Sequence, residues 1–276
     1  MKNATIISLR IKDNHTMKIF ILLLLVLSAC KVGVKINNHS DTSGKWVSIF
    51  NGKNLEGWIP KIAGDSVGVN TLNVFRVEDG LLKVSYDQYN RFNNRYGHLF
   101  YKEPLSKYKL RVEYRFVGEL LPDAEKFCYR NSGVMVHSQS PESVGVAQYW
   151  PVSLETQLLG STDSVKQRTA NLCTPGTTVY HNGVKTMDHI IPSTSKYYYD
   201  NEWVTLEIIV DGSKDIYHVI KGDTLLHCSM PQIGGDLLPA NYPVPTGTIL
   251  KSGYIALQAE GQPIEFRKVE LMKLDK

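Results

Sequence analysis

Strict alternation of apolar and charged side chains is the feature that most constrains the fold of this chain. In "YKLRVEYRF" (108–116) every second residue is apolar, and the residues between them are Lys, Arg or Glu. A period of two is the period of a β-strand with one buried face. Comparable segments, bounded by Gly, Asn and Asp, recur at 73–86, 98–101, 132–138, 153–159, 202–212, 216–229, 253–260 and 264–274. Because no helix longer than about two turns is indicated, we predict an all-β sandwich or jelly roll.

Two segments between these strands stand out. The sequence Glu78-Asp79-Gly80 predicts a tight hairpin turn, because Asp-Gly suits the backbone of a two-residue loop. Residues 160–201 are rich in Ser, Thr, Asn and Tyr and carry only a weak pattern. A long insertion of this kind in a compact domain is more often functional than filler, so we expect this segment to matter for function.

The N-terminal residues have the three-part pattern of a secretory signal. The sequence "MKIFILLLLVLSAC" begins at Met17 with one Lys, continues as an apolar run over 19–27 and ends in small residues before Cys30. This run is shorter than the roughly 20 residues that span a bilayer. Residues 27–30 resemble a bacterial lipobox, whose Cys is lipidated and becomes the first mature residue. The alternative is a short buried core segment followed by a free Cys.

The domain organisation follows from that signal. We predict a signal peptide over 1–29 with its true start at Met17, then a lipidated Cys30 and flexible tether over 30–44, then a single jelly-roll domain over 45–276. With 42% hydrophobic residues, the last segment can bury one large core, and all-β domains of this size commonly form one unit. The chain would then be a cell-envelope lipoprotein, held at the outer membrane through Cys30 on its periplasmic or surface face.

Charge and cysteine content exclude two classes of function. Residues 1–29 hold four of the 31 basic side chains and one of the 27 acidic ones, so the remainder has a net charge of +1. No basic excess is left for binding nucleic acid. Beyond Cys30 there are three cysteines, Cys128, Cys173 and Cys228. They allow at most one disulfide, whose pairing stays open, and their spacing is not that of a zinc site.

Several strands place medium-sized polar groups together on one face. Glu155 and Gln157 are two residues apart and so share a face, as do Gln258 and Glu260 on a later strand. His137 falls on the polar face of "SGVMVHS". Such groups among small residues favour a half-buried concave surface, and amides, carboxylates and a stacking aromatic are what a saccharide needs. Trp150 is the candidate platform, although it could equally be a packing residue at the rim.

Candidate catalytic groups follow from that surface. Glu155 could act as a general base if burial raises its pKa. His137 is the other candidate base, with a hydrogen-bonded structural histidine as the alternative, and Asp188-His189 could enter from the long insertion. The charged stripe of 108–116, which includes Arg111 and Glu113, could face the groove or form a solvated outer face with cross-strand ion pairs. No spacing of histidines indicates a transition-metal site, and no nucleophile elbow is present.

The chain resembles the 3-keto-disaccharide hydrolase-like domain family. The resemblance extends over about 46–274 and rests on motifs in matching order: "WVSIFNGKNLEGW" (46–58), "FRVEDGLLKV" (75–84), "YKLRVEYRF" (108–116), "NSGVMVHS" (131–138), "SLETQLLG" (153–160), "EWVTLEIIVDG" (202–212) and "GYIALQAEGQPIEFRKVEL" (253–271). It implies a concanavalin A-like jelly-roll β-sandwich with a concave ligand-binding face. It also implies cleavage of glycosides already oxidised to a ketone at C3, with a sugar 3-dehydrogenase as partner.

The resemblance also implies roles for single residues. Asn131, Glu155, Gln258 and Arg267 match motif positions of the family, and Glu113 matches the polar position of its strand. Glu155 or His137 would remove the C2 proton, Arg111 or Arg267 would face the oxyanion, and Gln157 and Gln258 would bind hydroxyls. Glu260 is a departure, because many members carry His there. A divalent cation such as calcium, held by groove carboxylates, is the one cofactor considered.

Three functions can be compared at this stage. The favoured one is an enzyme that cleaves 3-keto-glycosides or 3-keto-disaccharides in carbohydrate catabolism, by proton abstraction at C2, elimination at C1 and hydration. The second is a non-catalytic glycan-binding lipoprotein of the envelope. The third is a structural envelope protein without a ligand, which the repeated polar face argues against.

Overall fold

The computed structural model of the chain describes residues 44–275. The predicted signal peptide, Cys30 and almost all of the tether therefore lie outside the described residues. Within 44–275, no helix is long and apolar enough to cross a membrane.

The described chain is built from seventeen strands and three short 3-10 helices. The strands are β1 (Val47–Ser48), β2 (Trp58–Ile62), β3 (Phe75–Glu78), β4 (Leu81–Val84), β5 (Gly97–Tyr101), β6 (Lys107–Phe116), β7 (Asn131–Ser138), β8 (Leu154–Leu159), β9 (Asn171–Cys173), β10 (Thr177–His181), β11 (Val184–Thr186), β12 (Ile190–Ile191), β13 (Val204–Asp211), β14 (Asp215–Ile220), β15 (Asp223–Ile233), β16 (Tyr254–Ala259) and β17 (Ile264–Lys273). The 3-10 helices are Thr71–Asn73, Lys126–Cys128 and Pro141–Ser143.

These strands form two antiparallel sheets packed face to face. The ten-stranded sheet has the order β11-β10-β15-β14-β13-β6-β17-β4-β3, with β1 also paired to β17. The seven-stranded sheet has the order β12-β9-β8-β7-β16-β5-β2. This is the predicted all-β jelly-roll sandwich. The strand assignments made from alternation, including those over 108–116, 153–159 and 253–260, are confirmed to within a few residues.

The core lies between the two sheets and is filled by alternate residues of each strand. On β6 the buried side chains are Tyr108, Leu110, Val112, Tyr114 and Phe116. Leu110 lies opposite Ile208 of β13 and Leu271 of β17, so apolar residues meet across neighbouring strands. The residues between them point to the other side of the sheet. The period of two in the sequence of this segment therefore results from a strand with one buried face.

The predicted hairpin at Glu78-Asp79-Gly80 is confirmed. Strands β3 and β4 pair with Glu78 opposite Leu81, and the two loop residues both have positive φ, 54° at Asp79 and 76° at Gly80. This is the backbone that a two-residue loop needs in order to follow the twist of its strands.

The weakly patterned segment 160–201 has more regular structure than its sequence indicates. It contains the four short strands β9 to β12. The strands β9 and β12 extend the edge of the seven-stranded sheet, while β10 and β11 extend the ten-stranded sheet. Strands of two to five residues are too short to show a clear period, which is why the sequence does not reveal them.

Candidate functional site

The candidate site is a pocket of about 920 Å³ on the outward face of the seven-stranded sheet. Its lining residues are Phe127, Asn131, Trp150, Glu155, Gln157, Leu159, Gln167, Asn171, Cys173, Pro175, His189, Ile190, Asp236, Leu237 and Glu260. The floor comes from β7, β8 and β9, and the walls come from the loops and short elements around them. No Lys or Arg is among the lining residues.

Strand β8 supplies the centre of the floor. Leu154, Thr156 and Leu158 are fully buried in the core, so the residues between them point away from it. Glu155 lies opposite Met135 of β7 on one side and opposite Cys173 of β9 on the other. Glu155 and Gln157 therefore share the pocket face, as their spacing of two predicted.

A glycine on the neighbouring strand makes room for the Glu155 side chain. A Cβ added at Gly133 would lie 2.6 Å from Cγ and 2.7 Å from the carboxyl carbon of Glu155. Real Cβ atoms do not approach other heavy atoms so closely. The carboxylate therefore lies across β7, over the position where any other residue would place a side chain. The glycine of the Asn-Ser-Gly segment is therefore required for the Glu155 side chain to take this position.

The Glu155 carboxylate is buried without a hydrogen-bond or ion-pair partner among the described residues. The residue is only 5% exposed, and no hydrogen bond or ion pair joins its carboxylate to another described residue. Burial raises the pKa of Glu155 well above its usual range, and the nearby Glu260 raises it further. Two acidic groups thus share a pocket that offers them no cation, which favours a proton on one of them at neutral pH.

Glu260 is the second acidic group of the floor. Its Oε1 accepts a hydrogen bond of 3.1 Å from the indole Nε1–H of Trp150. Its Oε2 is buried and has no partner. Burial raises the pKa of Glu260 to about 8, although the Trp150 hydrogen bond opposes that shift. Trp150 is itself packed against Tyr96, with ring centroids 4.8 Å apart, so the ring orients Glu260 and also forms part of the pocket wall.

The amides of the floor differ in how well they are satisfied. Asn171 donates to Gln157 Oε1 at 3.0 Å and accepts from the Ser193 backbone N–H at 2.9 Å. Gln157 Nε2 has no partner among the described residues. The same holds for buried atoms of Asn131, Gln258 and His98: Asn131 Oδ1, both polar atoms of the Gln258 side chain, and His98 Nε2. Buried polar atoms in proteins nearly always have a partner, so this cluster is a candidate place for ligand oxygens or ordered water.

Gln258 and His98 lie side by side on the same face as Glu155. The two residues are opposite each other in the pairing of β16 with β5. Burial lowers the pKa of His98 to about 3, so the imidazole is neutral. Both residues are almost completely buried and lie beneath the pocket rather than along its lining.

The expected position of His137 is wrong. A β-bulge occurs here, since Ala256 pairs with Met135 but Tyr254 pairs with Ser138, and His137 has a φ of 49°. The bulge interrupts the alternation of β7. His137 Nε2 forms a 2.8 Å hydrogen bond with the carbonyl oxygen of Gly212, at the turn after β13. The histidine is buried, and its pKa is lowered by burial. The structural alternative for His137 therefore describes it correctly.

Arg111, Glu113 and Arg267 are also not in the pocket. They lie on β6 and β17, whose polar faces point outward from the ten-stranded sheet. Arg111 pairs with Glu207 and Glu270 at 2.8 and 3.1 Å. Glu113 pairs with Arg267 at 2.7 Å. The assignment of these three residues to the site is wrong, because their strands belong to the other sheet; the alternative of an outer face with cross-strand ion pairs describes the stripe of 108–116 correctly.

A smaller cavity of about 350 Å³ lies beside these ion pairs and is a weaker candidate. Trp203, Glu202 and Glu207 are among its lining residues. Glu207 is paired with Arg111, and none of these side chains is buried. The cavity thus has neither an unpaired buried acid nor an unsatisfied amide.

The pocket also contains residues that the sequence pattern did not identify. Phe127, Ile190 and Leu237 are exposed apolar residues at its rim, and Asn171 and Cys173 lie on β9. His189 does enter the pocket from the long insertion, whereas Asp188 is not among the lining residues. Cys128, Cys173 and Cys228 are all free and buried. Among the described residues, no three His, Cys, Asp or Glu side chains are arranged to hold a metal ion, and the calcium expectation stays a prediction.

The fold and the site together define a class: a jelly-roll β-sandwich with an acidic pocket on the face of its smaller sheet. The chain belongs to the 3-keto-alpha-glucoside-1,2-lyase-like domain family, whose model matches residues 45–272. This membership supports a carbohydrate-related function. No curated protein sequence matches the chain.

Solved structures share the architecture at low sequence identity. A candidate glycosyl hydrolase from Parabacteroides distasonis ATCC 8503 is 17% identical, with a TM-score of 0.53 over 83% of this chain and 94% of that chain. A further candidate glycosyl hydrolase from the same organism is 17% identical, with a TM-score of 0.49 over 83% and 100%. A Bacillus licheniformis β-glucanase is 14% identical, with a TM-score of 0.47 over 83% and 97%. The first of these similarities supports the fold.

Proposed function

We propose that the protein cleaves 3-keto-α-glucosides by 1,2-elimination, with Glu155 as the general base. The observation that carries this proposal is the pair of buried acids Glu155 and Glu260, which share a pocket that no Lys or Arg lines. Family membership supports the substrate class. Elimination needs one base and one acid rather than the paired carboxylates that an oxocarbenium mechanism uses.

The first step removes a proton from carbon. The C3 ketone makes the C2 hydrogen acidic, and the Glu155 carboxylate takes that proton while the C2–H electron pair forms an enolate across C2, C3 and O3. Burial raises the pKa of Glu155 well above its usual range, and once ionised such a carboxylate is a stronger base than an ordinary one. The amide N–H of Gln157, which has no partner among the described residues, is available to donate to the developing O3 oxyanion.

The second step expels the leaving group. The enolate electrons return to form the C1=C2 double bond, the C3 ketone is restored, and the C1–O bond breaks. Glu260 is protonated at neutral pH because its pKa is about 8, so it can supply the proton that the leaving oxygen needs. One proton enters Glu155 and one leaves Glu260, and the total charge of the pocket does not change. Addition of water across C1=C2 then gives free 3-keto-glucose.

The substrate must be oxidised before it reaches this site. Neither step of the elimination changes the oxidation level of the sugar as a whole, so the ketone has to come from a separate oxidation at C3. We infer that a sugar 3-dehydrogenase supplies the substrate. The unsatisfied Asn131 Oδ1 and Glu260 Oε2 are candidate acceptors and donors for the remaining hydroxyls.

Labelling at C2 tests the mechanism. The full chain is incubated in D₂O with a 3-keto-α-glucoside and, separately, with the unoxidised glucoside. We expect cleavage of the ketone substrate alone, and 3-keto-glucose that carries deuterium at C2, because hydration replaces the abstracted proton. A sample of 3-keto-glucose kept in D₂O with heat-inactivated protein corrects for spontaneous exchange.

The alternatives give different results in the same assay. Product without deuterium at C2 would indicate direct hydrolysis and contradict the elimination. Glycan binding without turnover of any ketone substrate would favour the non-catalytic glycan-binding lipoprotein. Parallel reactions with added calcium and with a chelator test whether a divalent cation takes part.

We also propose that the protein is anchored to the outer membrane through a lipidated Cys30. This residue lies outside the described part of the chain, and the proposal is supported by the lipobox-like sequence of 27–30. Replacement Cys30→Ser should release the protein from the membrane fraction in a bacterial host. Membrane association that survives this replacement would refute the lipid anchor.

A further inference from the structure

We infer that the rim of the pocket receives an apolar leaving group, so that the preferred substrates are 3-keto-α-glucosides of apolar alcohols rather than of sugars. This inference rests on the proposed function, since it concerns the group that leaves from C1 in the same pocket. It is carried by the contrast between the floor and the rim of the pocket.

The floor and the rim differ in both polarity and exposure. At the floor, Glu155, Asn131 and Gln157 are buried and polar. At the rim, Phe127 is 51% exposed and Ile190 is also 51% exposed. Leu237, the third apolar residue of the rim, is 50% exposed. A ligand that reaches from floor to rim therefore meets polar groups first and apolar groups afterwards.

The three apolar residues come from separate parts of the chain. Phe127 lies in the 3-10 helix Lys126–Cys128, Ile190 begins β12, and Leu237 lies in the loop that follows β15. Single exposed apolar residues are ordinary on a protein surface, but several gathered around one pocket indicate a binding surface. A single apolar segment of the sequence therefore does not explain why all three side chains lie around the same opening.

The backbone of Leu237 gives independent support. Its φ is 62°, in the left-handed region that Gly and Asn adopt most easily. A leucine is uncommon in this region, and the side chain of Leu237 is half exposed to water. Residues with this backbone conformation are concentrated at functional sites. A contact between the Leu237 side chain and a ligand would account for both features.

A sugar as leaving group fits this rim poorly. A second glucosyl unit carries hydroxyls around its ring, and those pressed against Phe127, Ile190 and Leu237 would lose water without gaining a partner. The polar lining residue Gln167 has no free donor for such hydroxyls at the bonds it makes, since its Nε2 already donates to the carbonyl oxygens of Tyr129 and Gly160. An alkyl or aryl group has no such penalty and gains from leaving water.

The test compares leaving groups of similar acidity that differ in apolar surface. Cleavage of hexyl and of methyl 3-keto-α-glucoside is measured with the full chain, and a 3-keto-α-glucoside of the primary 6-hydroxyl of glucose provides a sugar as leaving group. We expect kcat/KM to be about tenfold or more higher for the hexyl substrate than for the other two, from burial of the additional methylenes.

Two variants show whether the rim is responsible. Leu237→Asn removes the apolar group and suits the left-handed backbone, so it should fold at least as stably as the wild type. Phe127→Ala is the second variant. Both should lose more activity on the hexyl than on the methyl substrate and so reduce the ratio severalfold. Val184→Ala, which replaces an exposed apolar residue of β11 that is not in the pocket lining, should leave the ratio unchanged.

The outcomes separate this inference from the proposed function. Turnover of both alkyl substrates at the same rate, or a higher rate with the 6-linked glucose as leaving group, would overturn the apolar rim while leaving the elimination intact. If no 3-keto-glucoside is cleaved, the proposed function fails, and calorimetry with unoxidised hexyl and methyl α-glucoside decides the inference. Tighter binding of the hexyl glucoside that Leu237→Asn abolishes would support it; equal affinity or no binding would overturn it.

Discussion

Two carboxylates, Glu113 and Glu155, occupy similar places in the two sheets but differ in their burial, their hydrogen bonds and their pKa values. Each lies in a strand between two buried residues, and each points to the outward face of its own sheet. Glu113 accepts two hydrogen bonds from Arg267, at 2.7 and 2.8 Å, and a third from Thr205 at 3.0 Å. Glu155 accepts no hydrogen bond from the described residues.

The pKa of each group records that difference. Hydrogen bonds from Arg267 are the largest cause that holds the pKa of Glu113 below its usual value. Burial is the largest cause that raises the pKa of Glu155. A paired carboxylate is a poor base, and an unpaired buried one is a better base. The comparison teaches that a polar strand face indicates a site only when its cross-strand neighbours do not neutralise it.

Replacing each carboxylate by its amide should have the largest and most unequal effects. We expect Glu155→Gln to lower kcat by roughly a thousandfold, the size of contribution typical for a general base. Its stability should not fall, because the amide removes an uncompensated buried carboxylate. Steady-state kinetics on a 3-keto-α-glucoside and a melting curve measure both quantities.

The matched control for that variant is Glu113→Gln. It should keep nearly full activity and lose a little stability, since the Arg267 guanidinium would lose its charged partner. Equal losses of kcat in the two variants would show that Glu155 contributes no more to catalysis than Glu113 does. A large fall in the melting temperature of Glu155→Gln alone would show that the residue is structural.

A methyl group at Gly133 should have the next largest effect. The added Cβ would lie 2.7 Å from the Glu155 carboxyl carbon, so the carboxylate has to move away from its position over β7. We expect Gly133→Ala to lower kcat by about ten- to a hundredfold, because small displacements of a catalytic group are costly. Gly145→Ala is the control: its Cβ would meet nothing closer than 3.6 Å, and it should keep full activity. Full activity in Gly133→Ala would mean that the position of Glu155 is not critical.

The pH dependence of stability should differ in sign between the two faces. Folding raises the pKa of Glu260 from its ordinary 4.5 to about 8, so the folded state binds an additional proton between these values. The stability from this group is complete below about pH 4.5 and is lost as the pH rises through 8. For Glu113, whose pKa is lowered, stability is present above the ordinary value and lost in acid.

Melting curves of variants can separate these two contributions. Glu260→Gln should raise the melting temperature by several degrees near about pH 9 and change it much less near about pH 5. Glu113→Gln should instead lower the melting temperature at neutral pH and have little effect in strong acid. The same small shift at both pH values in Glu260→Gln would show that this carboxyl is not buried as described.

The parts of this molecule that the sequence predicts are those governed by local periodicity. Alternation located the long strands, the Asp-Gly turn located the hairpin, and the spacing of two placed Glu155 and Gln157 on one face. Each of these depends on residues close together in the chain. The family resemblance extended this to the jelly-roll architecture.

The errors arose where distant parts of the chain decide the outcome. Periodicity does not indicate which sheet a strand joins, so the sequence does not distinguish the polar faces of β6 and β17 from the pocket face, although these strands lie in the other sheet. A bulge also reverses the face of every later residue, and nothing in "SGVMVHS" distinguishes His137 from a regular strand residue. No sequence pattern indicates the apolar rim, because Phe127, Ile190 and Leu237 meet only after folding.

Removing Arg267 should have the smallest effect. The residue is the additional one in a bulge of β17, between Phe266 and Lys268. Its side chain is 44% exposed and lies over the Trp203 ring, 4.5 Å from the centroid. An exposed ion pair of this kind is worth about 0.5 kcal/mol, so Arg267→Ala should shift the urea midpoint slightly, less at high salt, and leave kcat within about twofold. A tenfold or larger fall in kcat would mean that the outer face of the ten-stranded sheet is coupled to the pocket, and the contrast between Glu113 and Glu155 would no longer separate structure from function.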